Sequence, residues 1–302
     1  MKRVQPINSD VLTREYFNDI LVEMRHIDGA TPDTSMTLYG EKFDTPVMMA
    51  ALSHLKGKGG EGDGMVQMAL GAKAVNCVNW SGMGEIEWFD DIAATGARSI
   101  KIIKPYDDEK MVLDRIDRAE AAGAFAVGMD LDHSFGGDGN PDHVIDWIMR
   151  PRTMKDLEGY VKRTKLPFII KGVLSAVDAK KCLEIGVQGI VVSHHHSLMS
   201  SAVPPLMVLP EIAEVIGGRI PIFVDCCFEN GMDVFKALAL GATAVSVGRP
   251  VMQPILDNGA EGAAETIRAI TAELKGTMAR TGCKTLADID KSLLWHKSGR
   301  RM

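Results

Sequence analysis

From Pro46 onward, short and nearly unbroken apolar runs alternate with longer stretches whose apolar residues recur at helical spacing. The runs are PVMMAAL (46–52), KAVNCV (73–78), SIKIIK (99–104), AFAVGMDL (124–131), PFIIKGV (167–173), GIVVSH (189–194), PIFVDC (221–226) and AVSVGRP (244–250). Unbroken apolar character marks strands buried on both faces, as in a parallel sheet covered by helices. Patterns such as MVLDRIDRAEAAG and DVFKALALGA supply helices between them. Eight such repeats predict an α/β fold of the TIM (β/α)8 barrel type. An open doubly wound sheet usually has fewer strands and a G-x-G-x-x-G turn after the first. Here SHLKGKGGEGDG follows the first run and lacks that spacing. The phrases GAKAV, GAFAV and GATAV recur just before strands, where a glycine can end a helix in the left-handed conformation.

The barrel is assigned to residues 46–280 of a single domain. Residues 1–45 form an extension packed on it, in which TREYFNDILVEMRHIDGATPDTSMTLYG predicts a helix or strand closing the barrel's N-terminal end. After the helical pattern AAETIRAITAELKGTMAR, residues 281–302 form a C-terminal tail, polar and basic at its end.

Composition narrows the partners. With 46% hydrophobic and 25% charged residues the chain has material for a large core, and a net charge of −6 leaves no basic stripe for nucleic acid. A small-molecule substrate is expected instead. MKRVQPINSD has no apolar signal-peptide core, and no apolar run has the length of a membrane span, so a cytoplasmic location without membrane association is expected. The five cysteines lack paired metal-site spacing and read as core thiols.

In such a barrel, chemistry sits at the C-terminal ends of the strands, where the βα loops converge. Polar residues there include Ser81, Lys101, Asp130, Asp132, His133, Lys171, His194 to His196, Asp225 and Arg249. Lys171 ends the apolar run FIIKG, where an ammonium can bind an anion or polarise a carbonyl; the plainer role is a lysine reaching solvent. Asp130 and Asp132 point the same way along a strand, so one can orient a histidine or both can cap the next segment. Gly248 and Arg249 fall where barrels bind phosphate with backbone N–H groups and an arginine. Of the three consecutive histidines only 194 and 196 can face one ion, because adjacent strand side chains alternate.

Three stretches together carry a resemblance: IIKGVLSAVDAKKCLEIGVQGIVVSHHHS, then LPEIAEVIGGRIPIFVDCCFENGMDVFKALALGATAVSVGRPVM, then LKGTMARTGCKTLADID. They resemble the C-terminal half of the FMN-dependent α-hydroxy acid dehydrogenase and oxidase family, which includes glycolate oxidase and lactate dehydrogenase. Weaker similarity runs back through DTPVMMAAL and REYFNDILVE. The resemblance implies a TIM barrel holding FMN over the strand ends, oxidation of a 2-hydroxy acid to the 2-oxo acid, and a homotetramer. It places Lys171 beside the flavin N1 and O2, His195 as the catalytic base, and Asp132 as the carboxylate pairing with that base. Gly248 and Arg249 match the phosphate turn. Ser81, Lys101, Asp130 and Asp225 stand on the cofactor side, and His133, His194 and His196 on the substrate side.

Departures from the family pattern redirect the substrate. His194 replaces an asparagine, His196 and Ser197 replace two glycines, and Leu198 stands where an arginine would grip a substrate carboxylate. A second such arginine has no counterpart in HSFGGDGN, and a substrate tyrosine aligns with Ile103 or a neighbour. Without a bidentate anchor a simple 2-hydroxy acid is not the expected substrate. On the cofactor side, Lys101 aligns with a glutamine, Asp130 with a threonine, Cys226 and Cys227 with two glycines, and Glu229 with an arginine. Two other chemistries fit the same residues. One is a flavin-free isomerase, epimerase or lyase using Lys171, His195 and Asp132; the other is a divalent-metal enzyme using His194 or His196 with His133 and Asp130. The reading adopted assigns no metal ligand.

Overall fold

The computed structural model describes residues 7–302, so the signal-peptide reading of Met1 to Pro6 falls outside the described residues. Eight parallel strands form one sheet: β1 (Val47–Met49), β2 (Asn79–Ser81), β3 (Ser99–Ile103), β4 (Ala126–Asp130), β5 (Phe168–Val173), β6 (Gly189–Val192), β7 (Ile222–Val224) and β8 (Ala244–Val247). From β2 to β8 each pairs with the next in sequence, and β8 returns to β1. The seam between β1 and β2 closes through the Met49 N–H donating to Val78 O at 3.1 Å and a parallel bridge between Leu52 and Ser81. This is the predicted TIM barrel.

Helices cover the outside: α1 (Ser9–Asp19), α2 (Asp63–Ala74), α3 (Trp88–Ala94), α4 (Glu109–Ala121), α5 (Met154–Arg163), α6 (Ala176–Glu184), α7 (Pro205–Ile216), α8 (Gly231–Ala239) and α9 (Arg249–Thr281), the last interrupted at Gly259. Their starts follow local chemistry. Asp108, Ser175 and Asn230 cap α4, α6 and α8 by accepting from backbone N–H groups, and Thr153 with Asp156 forms a capping box on α5.

Two apolar layers result. One lies between sheet and helices; the other fills the barrel interior with Met48, Trp80, Ile100, Ile102, Ile169 and Phe223 among others. Packing there is close enough that a Cβ on Gly128 would meet Ile169 O at 2.3 Å. The hairpin Met36–Leu38 with Glu41–Phe43 plugs the N-terminal mouth, its Met36, Leu38 and Phe43 joining the interior layer.

Two expectations need correction and a third is met in part. The run KAVNCV is not a strand: Lys73 and Ala74 finish α2, Asn76 turns with φ 47°, and pairing starts at Asn79. Ala74 and Val75 at a solvent-facing helix end adjoin the buried Cys77 and Val78, so composition alone read as one apolar run. AVSVGRP stops being strand at Val247, because Arg249 and Pro250 begin α9. Of the helix or strand expected to close the N-terminal end, the strand Met36–Leu38 does so within its hairpin, whereas α1 lies across the opposite rim, bonded to the loops after β6, β7 and β8. After α1, Ile20–Val22 pairs antiparallel with Leu294–His296, which ties the two ends of the chain together.

Candidate active site

Strand alternation builds the site. Going up β3, β4, β5 and β7, interior-facing positions run from Ile100 and Ile102 to Lys104, from Ala126 and Gly128 to Asp130, from Ile169 to Lys171, and from Phe223 to Asp225. The interior thus changes from apolar to ionic at the C-terminal ends of the strands. In register, Lys171 stands level with Asp130.

Lys171 is the hub. Its Nζ lies 3.1 Å from Asp132 Oδ2, 3.7 Å from Asp130 Oδ2 and 3.8 Å from Asp225 Oδ2, and its side chain is 6% exposed. Burial alone would lower its pKa, but the three carboxylates outweigh burial and hold it well above the ordinary lysine value. Reciprocally, Asp130 is buried yet sits well below the ordinary carboxylate value because Lys171 and Lys104 face it, and Lys171 likewise lowers Asp225. Lys104 donates to Asp130 at 2.8 Å. Gly172 makes the approach of Asp132 possible: its φ is 96°, and a Cβ there would meet Asp132 Oδ1 at 2.4 Å.

His195 closes the cluster. Its Nδ1 lies 3.2 Å from Asp132 Oδ2, 3.3 Å from Asp130 Oδ2 and 3.1 Å from Lys171 Nζ. Burial and the Lys171 charge push its pKa down, yet the two carboxylate contacts prevail and the net shift is upward. With Nδ1 turned to carboxylates, Nε2 is left toward the open side, 3.4 Å from His133 Nε2. His133 in turn holds Asp142 Oδ2 at 2.6 Å through Nδ1. Burial, then the Lys104 charge, lowers the His133 pKa, so a neutral imidazole faces one disposed to protonate. Such an arrangement can take a proton from a group brought to His195 Nε2 in place of its contact with His133.

Other predicted site residues lie elsewhere. Lys101 projects outward from β3 over the Phe89 ring of α3 and donates to Gly82 O; burial and nearby Arg115 lower its pKa to about 7. It therefore does not join the cluster, and Lys104, of the right parity, does. Ser81 is buried at the barrel seam with no hydrogen bond to the cluster. His194 turns away to α1, 2.8 Å from Thr13 Oγ1, and is buried. His196 meets Arg249 and Asp10 of α1 instead of facing His133. The metal set of His194 or His196 with His133 and Asp130 is thus not assembled. Beside Gly248 and Arg249 a cavity of about 30 Å³ is lined by Cys226, Cys227 and Glu229 among others. Asp142, Ser193, Asp10 and Thr13 were not foreseen, since each acts on a partner distant in sequence or across a loop.

A TIM barrel carrying a lysine, paired carboxylates and a histidine at its C-terminal rim is the architecture of an enzyme with acid–base chemistry at that rim. The sequence model of the FMN-dependent dehydrogenase family matches residues 11–152 and 140–296, and the chain belongs to that family. Glycolate oxidase 1 of Oryza sativa subsp. indica is 30% identical over 95% of this chain and 87% of its own length. An L-lactate oxidase of Roseobacter sp. is 43% identical over 49% of this chain and 40% of its own length. Among solved structures, a mandelate oxidase variant with a monooxide FMN adduct superposes with a TM-score of 0.84 at 28% identity, covering 93% of this chain and 89% of that one. An arginine-to-leucine variant of mandelate oxidase with 2-hydroxy-phenylacetamide gives 0.85 at 27% identity, covering 96% and 90%.

Proposed function

We propose that the protein is an FMN-dependent oxidoreductase that oxidises a CH–OH group of a small molecule lacking a free carboxylate. The Lys171–Asp132–His195 triangle carries this reading. His195 Nε2 accepts the hydroxyl proton, and Asp132 and Asp130 stabilise the resulting imidazolium through Nδ1. When bound, FMN supplies the acceptor for the reducing equivalents. Lys171 would hold the pyrimidine end of the flavin as a buried cation, with Asp225 and Ser193 on its flank.

Donor chemistry at the far corner suits a phosphate: α9 begins at Arg249, directly after Gly248, so helix N–H groups and a guanidinium meet there. In the structure Asp10 accepts from Arg249 at 2.9 Å, so a phosphate and this carboxylate compete for one cation. The two cysteines and Glu229 line the same corner.

Substrate preference follows from counter-ions. Lys104 and Lys171 are committed to carboxylates, Arg249 to Asp10, and the loop after β6 carries Leu198, 45% exposed. A substrate carboxylate would meet no free cation among these residues, which favours an amide, ester or simple alcohol. The mandelate oxidase variant that exchanges arginine for leucine was solved with a neutral hydroxy amide, in keeping with this preference. Family resemblance also suggests a homo-oligomer, which light scattering on the purified protein tests.

The deciding experiment is the visible spectrum of the purified protein, followed by anaerobic mixing with 2-hydroxy acids and with their neutral amides. Flavin absorption that bleaches with the amides and not the acids is expected. A colourless protein that leaves the fluorescence of added FMN unquenched would end the reading.

A further inference from the structure

Three side chains unused by the acid–base cluster converge at the rim. They are Asp10 of α1, His196 after β6 and Cys227 after β7. One ligand atom from each, a carboxylate oxygen, an imidazole nitrogen and a sulfur, lie within 4.8 Å of one another. Separate elements deliver them, and two arrive on backbone that disfavours a side chain: φ is 54° at His196 and 62° at Cys227. Their neighbours His195, Ser197 and Cys226 share that conformation. Glycine would be the least strained residue at each of these positions. The chain instead keeps a histidine and a cysteine whose side chains meet.

Two observations point to a cation at their centre. Asp10 Oδ1 is buried and has no hydrogen-bond partner, although it lies 3.8 Å from His196 Nδ1. Although Arg249 serves Oδ2, the buried Oδ1 still lacks a partner, a place that an ion or a water fills. Arg249 Nη2 sits 2.9 Å from Asp10 Oδ2, 2.9 Å from His196 Nδ1 and 3.4 Å from Cys227 Sγ, so one point surrounded by all three residues already attracts a cationic group. That arginine side chain is 54% exposed and free to swing outward.

We propose that Asp10, His196 and Cys227 form a binding site for a divalent transition metal of the zinc type, with Arg249 holding the place in its absence. An oxygen, a nitrogen and a sulfur ligand suit Zn²⁺ and its surrogate Co²⁺, not Mg²⁺ or Ca²⁺, which prefer oxygen. Three protein ligands leave the fourth tetrahedral position open to water or an anion. Binding releases the Cys227 proton, since the metal takes the thiolate. It also releases Arg249 from Asp10. The second cluster of this kind, Asp130, Asp132 and His195, does not compete, because the Lys104 and Lys171 ammoniums that hold its carboxylates at 2.8 and 3.1 Å are buried and, unlike Arg249, have no way out to solvent.

The site shares Asp10, Cys227 and Arg249 with the phosphate corner of the flavin reading, so it is tested on cofactor-free, chelator-treated full-length protein titrated with Co²⁺, where the readout does not depend on bound flavin. Uptake of one equivalent with a sulfur-to-cobalt charge-transfer band and tetrahedral visible bands, displaced by Zn²⁺, is expected. Cys227→Ser should abolish the charge-transfer band while Cys226→Ser keeps it. Asp10→Asn and His196→Gln should each weaken binding by about tenfold or more, in line with losses seen around metal sites, and Arg249→Gln should tighten it. Circular dichroism confirms that each variant is folded. Absence of stoichiometric uptake, or a charge-transfer band that survives in Cys227→Ser, overturns the proposal.

Discussion

Replacing Lys171 by methionine tests the ionic centre directly, because the lysine is the shared counter-ion of three carboxylates at 3.1, 3.7 and 3.8 Å. Methionine preserves most of the apolar stem and removes only the charge. Lys104 still serves Asp130 at 2.8 Å, but Asp132 and Asp225 lose their nearest ammonium. Breaking one side of a buried pair costs about 3–5 kcal/mol. At roughly 2–4 °C per kcal/mol for domains somewhat smaller than this, Tm should fall on the order of 10 °C at pH 7. The pH dependence has a definite sign. In the wild type, Asp130 and Asp225 have depressed pKa values, so their contribution is present at neutral pH and is lost as pH falls through those folded values. In the variant, burial is no longer opposed by Lys171, the folded carboxylates bind protons more readily than the unfolded ones, and stability falls as pH rises. The deficit relative to wild type should therefore shrink between pH 7 and about pH 5, a range set by ordinary and burial-raised carboxylate values. Thermal unfolding followed by circular dichroism at both pH values measures it, and Lys171→Met combined with Asp132→Asn should regain part of the loss. A Tm within about 2 °C of wild type at pH 7, or an equal deficit at both pH values, would refute the assignment of Lys171 as the common counter-ion.

Further expectations concern the base, the barrel packing and the phosphate corner. His195→Asn should lower turnover by about 10²–10⁴-fold, the usual worth of a general base, with flavin content unchanged; turnover near the wild-type rate would disprove the role. Because His195 acts neutral and its pKa is shifted upward, the acidic limb of kcat/KM should lie above the ordinary histidine value, and Asp132→Asn should move it down. Gly128→Ala drives a Cβ against Ile169 O and should cost about 1–3 kcal/mol in urea denaturation, an unchanged midpoint arguing against so close an approach. Removing the rival carboxylate in Asp10→Asn should tighten FMN binding by about tenfold, roughly 1.4 kcal/mol, in metal-free protein. Riboflavin, which lacks the phosphate, should show no gain in fluorescence titration; an equal gain would mean that Asp10 does not act on the phosphate corner.

Much of the barrel was legible because burial on both faces leaves a direct trace, an apolar run bounded by turn residues, and eight such runs admit few topologies. The failure at KAVNCV arises because Ala74 and Val75, at an exposed helix end, run by composition into the buried Cys77 and Val78. Lys101 was misplaced although the signal was present. Asp130, Lys171 and Asp225 share the parity of the interior residues below them, whereas Lys101 falls between Ile100 and Ile102, which both face inward. Parity would have selected Lys104. Contacts such as Thr13 with His194, 181 residues apart, leave no local pattern at all.

The sequence by itself determined the repeating β/α order, the double-sided burial of the strands, the placement of Lys171 and Asp225 at strand ends, and membership of a flavin-dependent family through long shared phrases. Tertiary structure alone decided which charges meet. It sent the three histidines in three directions, His194 to Thr13, His195 to Asp130 and Asp132, and His196 to Asp10 and Arg249. The reason is that strand pairing ends at Val192, and from His195 to Ser197 the backbone turns into the left-handed region, where strand alternation no longer applies. Beyond that point the direction of each side chain is set by α1 and the neighbouring loops, which come from distant parts of the chain.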